Sequence, residues 1–181
     1  MYEKEIEMPL NVQAEVAGKR VSVSGPKGKL EYEFKGLFGV KIEKSEKGVK
    51  AFSESEERKQ KAIVGSIIAH VRNMVDGVTK GYTAKLKVIY SHFPVTVKVD
   101  EKERKVLVNN FLGEKIPRVA KIVGKDTKVD AKGADVTVSG TDIEAIGQTA
   151  ANMEQVTKIR EHDRKVFQDG IFITEKPRGK M

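Results

Sequence analysis

The stretch Lys105–Val119, KVLVNNFLGEKIPRV, repeats the plan of Arg20–Phe34, RVSVSGPKGKLEYEF. Val106 and Val108 stand where Val21 and Val23 stand, and Gly113 falls where Gly28 falls. In both stretches the valines recur with a period of two, the pattern of a half-buried strand. Gly25-Pro26 marks a turn in the first copy, with Lys27-Gly28-Lys29 at its tip.

The correspondence extends outward in both directions. Downstream of the first copy, strands are predicted at Val40–Lys44 and Val49–Phe52. Ser53 with Glu56 then fits a capping box. Ile63, Ile67, Val71, Met74 or Val75, and Val78 follow at helical spacing, with Gly77 and Gly81 as terminators. Downstream of the second copy, strands are predicted near Ala120–Val123, Thr127–Asp130 and Val136–Ser139. Thr141 with Glu144 forms a second capping box, opening the helix DIEAIGQTAANMEQVTKI at Asp142–Ile159. Within the two helices Gly65 aligns with Gly147 and Ala69 with Ala151. Strands grouped before a single helix, twice, predict an α+β protein of two tandem similar domains, each an antiparallel sheet packed with one main helix. The boundary is set near Tyr82, giving residues 1–82 and 83–181. A duplication explains the repeat.

Composition narrows the partner class. The 181 residues carry 34 Lys+Arg against 26 Asp+Glu, a formal charge of +8, with a pI near 9.5. Such an excess points to a polyanion, nucleic acid before an anionic membrane surface. There is no cysteine, so disulfides, thiolate metal sites and thiol nucleophiles are excluded. No apolar run approaches the roughly 20 residues that span a bilayer, and MYEKEIEMPL lacks the apolar stretch of a signal peptide. A soluble, cytoplasmic protein is the expectation.

Catalysis finds no candidate. The three histidines, His70, His92 and His162, have no neighbour at metal-ligand spacing. His162 and Asp163 are adjacent in sequence, so their side chains diverge. His70 lies beside the apolar stripe of the first helix, as a partly buried histidine. GPKGK and VGKDTK lack the spacing and the following helix of a phosphate loop. No metal, no cofactor and no small-molecule substrate is expected.

The positive charge gathers after the second helix. Lys158, Arg160, Arg164, Lys165, Lys176, Arg178 and Lys180 surround His162, Phe167 and Phe172. Lys158 and Arg160 fall at the predicted end of that helix, where the helix dipole favours cations. GIFI, at Gly170–Ile173, alternates like an edge strand, which assigns Phe172 to anchoring in the core. Phe167 sits in a predicted turn beside Gln168-Asp169-Gly170, where it either contacts a partner or packs. PRGKM, Pro177–Met181, reads as a flexible tail. Without a helix-turn-helix or zinc-finger spacing, RNA held through phosphates and ribose fits better than sequence-specific DNA.

Four motifs, in order, carry a resemblance: HVRNMVDGVTKGY at His70–Tyr82, SHFP at Ser91–Pro94, NFLGEK at Asn110–Lys115 and DGIFITEK at Asp169–Lys176. Together they resemble the sixth large-subunit ribosomal protein family in its archaeal/eukaryotic form. The resemblance implies two similar α+β domains and no enzymatic activity. It implies a structural constituent of the large ribosomal subunit, supporting translation, that binds large-subunit (23S-type) rRNA near the sarcin–ricin loop and the base of the factor-binding stalk. Neighbouring ribosomal proteins and nearby translation factors are the implied protein partners. The RNA contact falls to the second domain, through Lys158, Arg160, His162, Arg164, Lys165, Phe167, Gly170, Lys176, Arg178 and Lys180. The sequence departs from the bacterial turn P-Y-K-G-K-G-I: in VFQDGI, Phe167 stands for the tyrosine and Gly170 for the last glycine, while Gln168 and Asp169 replace the basic and small residues between. A free-standing RNA-binding module outside the ribosome is the rival reading.

Overall fold

A computed structural model describes residues 2–45, 48–160, 163 and 165–179, with 178 and 179 described by backbone alone. The chain divides into two compact units, Met1–Gly81 and Tyr82–Met181. The boundary falls one residue earlier than expected, because Tyr82 pairs with Gly140 as the first residue of a strand in the second unit.

In the first unit the strands are β1 (Tyr2–Glu7), β2 (Gln13–Ala17), β3 (Arg20–Gly25), β4 (Gly28–Glu33), β5 (Val40–Lys44) and β6 (Gly48–Ser53), followed by the helix α1 (Arg58–Thr79). β2, β3 and β4 form one antiparallel sheet, and β1, β6 and β5 form another in that order. Val21 and Val23 are fully buried on the inner face of β3, while Ser22 between them stays partly exposed. β1 escaped sequence reading, since YEKEIE offers only Ile6 as a clear apolar position.

α1 buries Val64, Ile67, Ile68, Val71, Met74, Val75 and Val78 against these sheets. The capping box at Ser53 and Glu56 does not form. Ser53 ends β6, is buried, and donates its hydroxyl to the Ser55 carbonyl at 3.0 Å. The helix starts four residues later, with Glu57 as its N-cap and no side-chain cap. Gly77 does not terminate the helix but lies buried inside it. Gly81, at φ 75°, is the residue that turns the chain out. The GPKGK hairpin docks on this end of α1, Lys27 donating its backbone N–H to the Val78 carbonyl at 2.9 Å. His70 is half-buried, its ring 4.9 Å from that of Tyr32 at an interplanar angle of 21°.

The second unit repeats this order and adds one strand. Its elements are β7 (Tyr82–Ile89), β8 (Thr96–Asp100), β9 (Lys105–Asn109), β10 (Arg118–Lys121), β11 (Lys128–Lys132), β12 (Asp135–Gly140), the helix α2 (Ile143–Val156) and β13 (Gly170–Gly179). The β8-β9-β10 meander matches β2-β3-β4, and β7, β12 and β11 pair as β1, β6 and β5 do. Val106 and Val108 on β9 are fully buried, as are their counterparts on β3. The hairpin tip of the first unit has no such match: Phe111–Gly113 is a single 3₁₀ turn.

α2 is capped by Asp142, whose Oδ1 accepts from the Glu144 backbone N–H at 2.9 Å. Thr141 is buried instead, and its hydroxyl has no hydrogen-bond partner among the described residues. The cap falls one residue later than expected, and with Ala145 at the third helical position no capping box forms. The helix ends at Val156 rather than Ile159. β13 pairs antiparallel with β7, lying on its edge opposite β12. Because β13 runs to Gly179, the first three residues of the expected flexible tail are strand, with Arg178 paired to Thr83 and Gly179 to Tyr82. No helix among the described residues is long and apolar enough to cross a membrane.

Candidate functional site

Three of the four sequence motifs meet in the second unit. Asp169 is buried, and its Oδ1 accepts from the backbone N–H of Ser91 at 3.0 Å. The same oxygen lies 3.5 Å from His92 Nδ1. Asn110 donates its side-chain amide to the Pro94 carbonyl at 3.1 Å. SHFP is therefore fixed to DGIFITEK at one end and to NFLGEK at the other. Sequence reading missed Asp169 as an anchor. The signal was a carboxylate between the apolar pairs Val166-Phe167 and Ile171-Phe172, where burial is tolerated only with a hydrogen-bond partner.

Phe172 does not anchor in the core as expected, and of the two roles open to Phe167 it takes packing. Phe167 is half-buried, packs on the core, and sets its ring 4.6 Å from that of His92. Phe172 is 42% exposed, while Ile171 beside it is 1% exposed. The alternation expected for GIFI is present along β13 in the opposite phase, with Ile171 in the inward position. Gly170 shares the face of Phe172. A Cβ there would come 3.1 Å from the Phe172 ring, tighter than an ordinary contact, so a larger residue would push the ring aside by a few tenths of an ångström.

The turn before β13 is held locally. Asp163 accepts from Lys165 N–H through Oδ1 at 2.9 Å, and from Phe167 N–H through its carbonyl at 2.9 Å. Lys165 and Lys176 are exposed. His162, Arg164 and Lys180 lie outside the described residues, and Arg178 is described only by its backbone pairing with Thr83.

At the end of α2 the expected dipole partners are replaced by another cation. Arg118 on β10 donates through Nη1 to the Val156 carbonyl at 2.8 Å, while Nε and Nη2 grip Glu114 at 2.8 and 2.6 Å. Its guanidinium also lies 4.5 Å from the centre of the Phe111 ring. These hydrogen bonds hold the Glu114 carboxyl below the usual carboxylate range, with burial opposing. Arg118 is some forty residues from Lys158, so no linear pattern revealed it.

Lys158 and Arg160 are left exposed beyond the helix. With Arg118, Lys121, Asn152 and Gln155 they line a groove of about 610 Å³ that has no carboxylate among its lining residues. Elsewhere lysines face acids, as in Lys50–Glu3, Lys41–Glu54, Lys85–Glu175 and Lys132–Asp130. Lys121, Lys158 and Arg160 make no such pair among the described residues. A second groove, of about 680 Å³, lies beside Phe167, Gly170, Ile171 and Phe172. No group of three or more His, Cys, Asp or Glu that could hold a metal occurs among the described residues. The arrangement offers unpaired cations and an exposed ring, which are means of binding.

Comparison with known proteins agrees on the family. A family model described as ribosomal protein L6 matches residues 8–81 and 93–170, one segment in each unit. The chain is 50% identical over 173 residues to large ribosomal subunit protein uL6 of Staphylothermus marinus, covering 96% of this chain and 93% of that protein. It is 44% identical over 171 residues to large ribosomal subunit protein uL6 of Methanosarcina mazei, covering 94% and 95%. With both repeats matched and nearly the whole chain aligned, the chain belongs to the ribosomal protein L6 family.

Proposed function

We propose that this protein is a non-enzymatic constituent of the large ribosomal subunit, residing on cytoplasmic ribosomes, whose second unit grips large-subunit rRNA. The observation that carries the reading is the groove at the end of α2, where Lys121, Lys158 and Arg160 gather without an acidic partner among the described residues. Cations left facing solvent suit phosphates, which they neutralise with release of counterions. Lys165 and Lys176 extend the cationic surface. Arg164, Arg178, Lys180 and His162, with Phe167 and Gly170, complete the set that family resemblance assigns to the RNA. Contact near the sarcin–ricin loop and the stalk base, with translation factors and other ribosomal proteins close by, is the finer part of this proposal.

Co-sedimentation tests it. The protein is expected to travel stoichiometrically with large subunits through a high-salt wash. Isolated, it is expected to bind purified large-subunit rRNA with an affinity that falls steeply with salt, log affinity dropping by roughly 0.7 to 0.9 per phosphate contact for each tenfold rise in salt. Loss from the subunits in the wash would favour a free-standing RNA-binding module. Salt-independent affinity would refute a phosphate grip.

A further inference from the structure

The two grooves of the second unit are not separate. Gln155 and Lys158 line both of them. On one side of this shared wall stand Lys121 and Arg160, cations without an acidic partner among the described residues. On the other side stand Ile89 and Phe172, each 42% exposed, and the half-buried ring of Phe167, with the carboxylates of Glu154 and Asp169 also in the lining of this mostly apolar groove. Phe172, near the start of the edge strand β13, and Ile89 on β7 leave apolar surface facing solvent side by side. The Phe172 ring lies against Gly170, where a Cβ would come 3.1 Å from it.

We infer that the paired grooves form a site for a single unpaired nucleotide, its phosphate in the cationic groove and its base in the apolar groove against Phe172. This rests on the proposal that the protein binds large-subunit rRNA, and it specifies how. A nucleotide joins an anion to a flat apolar ring through one ribose, and the site sets cations and an exposed flat ring on either side of one shared wall. Paired bases within a helix keep their faces stacked on each other. Bases in loops and bulges can be splayed out and stacked on aromatic side chains. The site therefore selects an extruded base over a regular helix. Stacking on a ring is tolerant of base identity, so recognition here is of an unpaired position more than of a letter. The cationic groove disfavours a peptide side chain as the occupant, since the flanking positive charge has no counterpart in an apolar residue.

The test uses the full chain assembled into large subunits that lack it. Base-reactive probing and hydroxyl-radical cleavage of the rRNA are compared for the wild type, Phe172→Ala, Phe172→Tyr and Lys158→Ala. Protection of one or two unpaired bases by the wild type and by Phe172→Tyr is expected. Phe172→Ala should raise the reactivity of those bases about fivefold or more while the surrounding ribose protection stays. Lys158→Ala should weaken ribose protection at the same nucleotide. If Phe172→Ala leaves every base reactivity as in the wild type while ribose protection persists, the nucleotide site is refuted and rRNA binding stands. If a photoreactive group placed at position 172 crosslinks to a ribosomal protein instead of RNA, the apolar groove is a protein dock and the inference is overturned. If the wild type protects no ribose at all, the rRNA reading falls with it.

Discussion

Asp169 Oδ1 accepts a hydrogen bond from the backbone N–H of Ser91 at 3.0 Å, joining β13's entrance to the loop after β7 across 78 positions of sequence. The other carboxylate oxygen, Oδ2, is buried with no partner among the described residues. Only one oxygen is engaged by that bond, so Asp169→Asn keeps the acceptor that Ser91 needs and removes the buried charge. Asp169→Ala leaves the Ser91 N–H unpaired, at a cost of about 1–3 kcal/mol. Chemical denaturation should find Asn near the wild type and Ala clearly less stable. Equal loss in both would show that the charge itself is required.

Arg118 ties β10 to the end of α2 and to Glu114 at once. Its fork holds the Glu114 carboxyl below its ordinary value. A carboxyl with a lowered folded-state pKa stabilises the fold above its unfolded value, and that contribution disappears as pH falls through the folded pKa. Glu114 is 40% exposed at its side chain, so the effect on stability is small. Carboxyl titration by NMR should therefore place Glu114 low in the wild type and return it upward in Arg118→Ala. Arg118→Lys should not restore the shift fully, because an ammonium cannot reproduce the bidentate fork.

Charge reversal at Lys121, Lys158 and Arg160 together should leave the fold intact, since none of the three makes a salt bridge among the described residues. It should reduce incorporation into large subunits and flatten the salt dependence of rRNA binding by up to about three phosphate contacts. Measured by co-sedimentation and salt titration, normal incorporation would move the RNA grip away from this groove.

Each unit has its own core, so each should fail by itself. Ile67 is 2% exposed on α1 and Ala150 is fully buried on α2. Ile67→Asp or Ala150→Asp places a charge under a sheet, costing several kcal/mol, about 4 or more. Hydrogen exchange should lose protection in the unit that carries the substitution and keep it in the other.

The doubled plan of this protein is written in its local sequence. Val21, Val23, Val106 and Val108 announce two equivalent strands because period-two burial depends only on alternation along one segment. The apolar stripe of α1 is equally legible, since 3.6-residue spacing is a property of the helix alone. Ser53 and Thr141 show where that legibility stops: both match a capping box, yet one is spent ending a strand and the other is buried, leaving Glu57 and Asp142 at the caps. The phase of β13, which buries Ile171 and exposes Phe172, was set by pairing with β7, a partner some 80 residues earlier. The meeting of Arg118 and Lys121 with Lys158 and Arg160 was likewise invisible along the chain. Alternation and helical spacing are short-range and survive in one dimension. Which ring is left free, which cations converge and which carboxylate is buried depend on contacts between distant segments, and only the folded chain decides those.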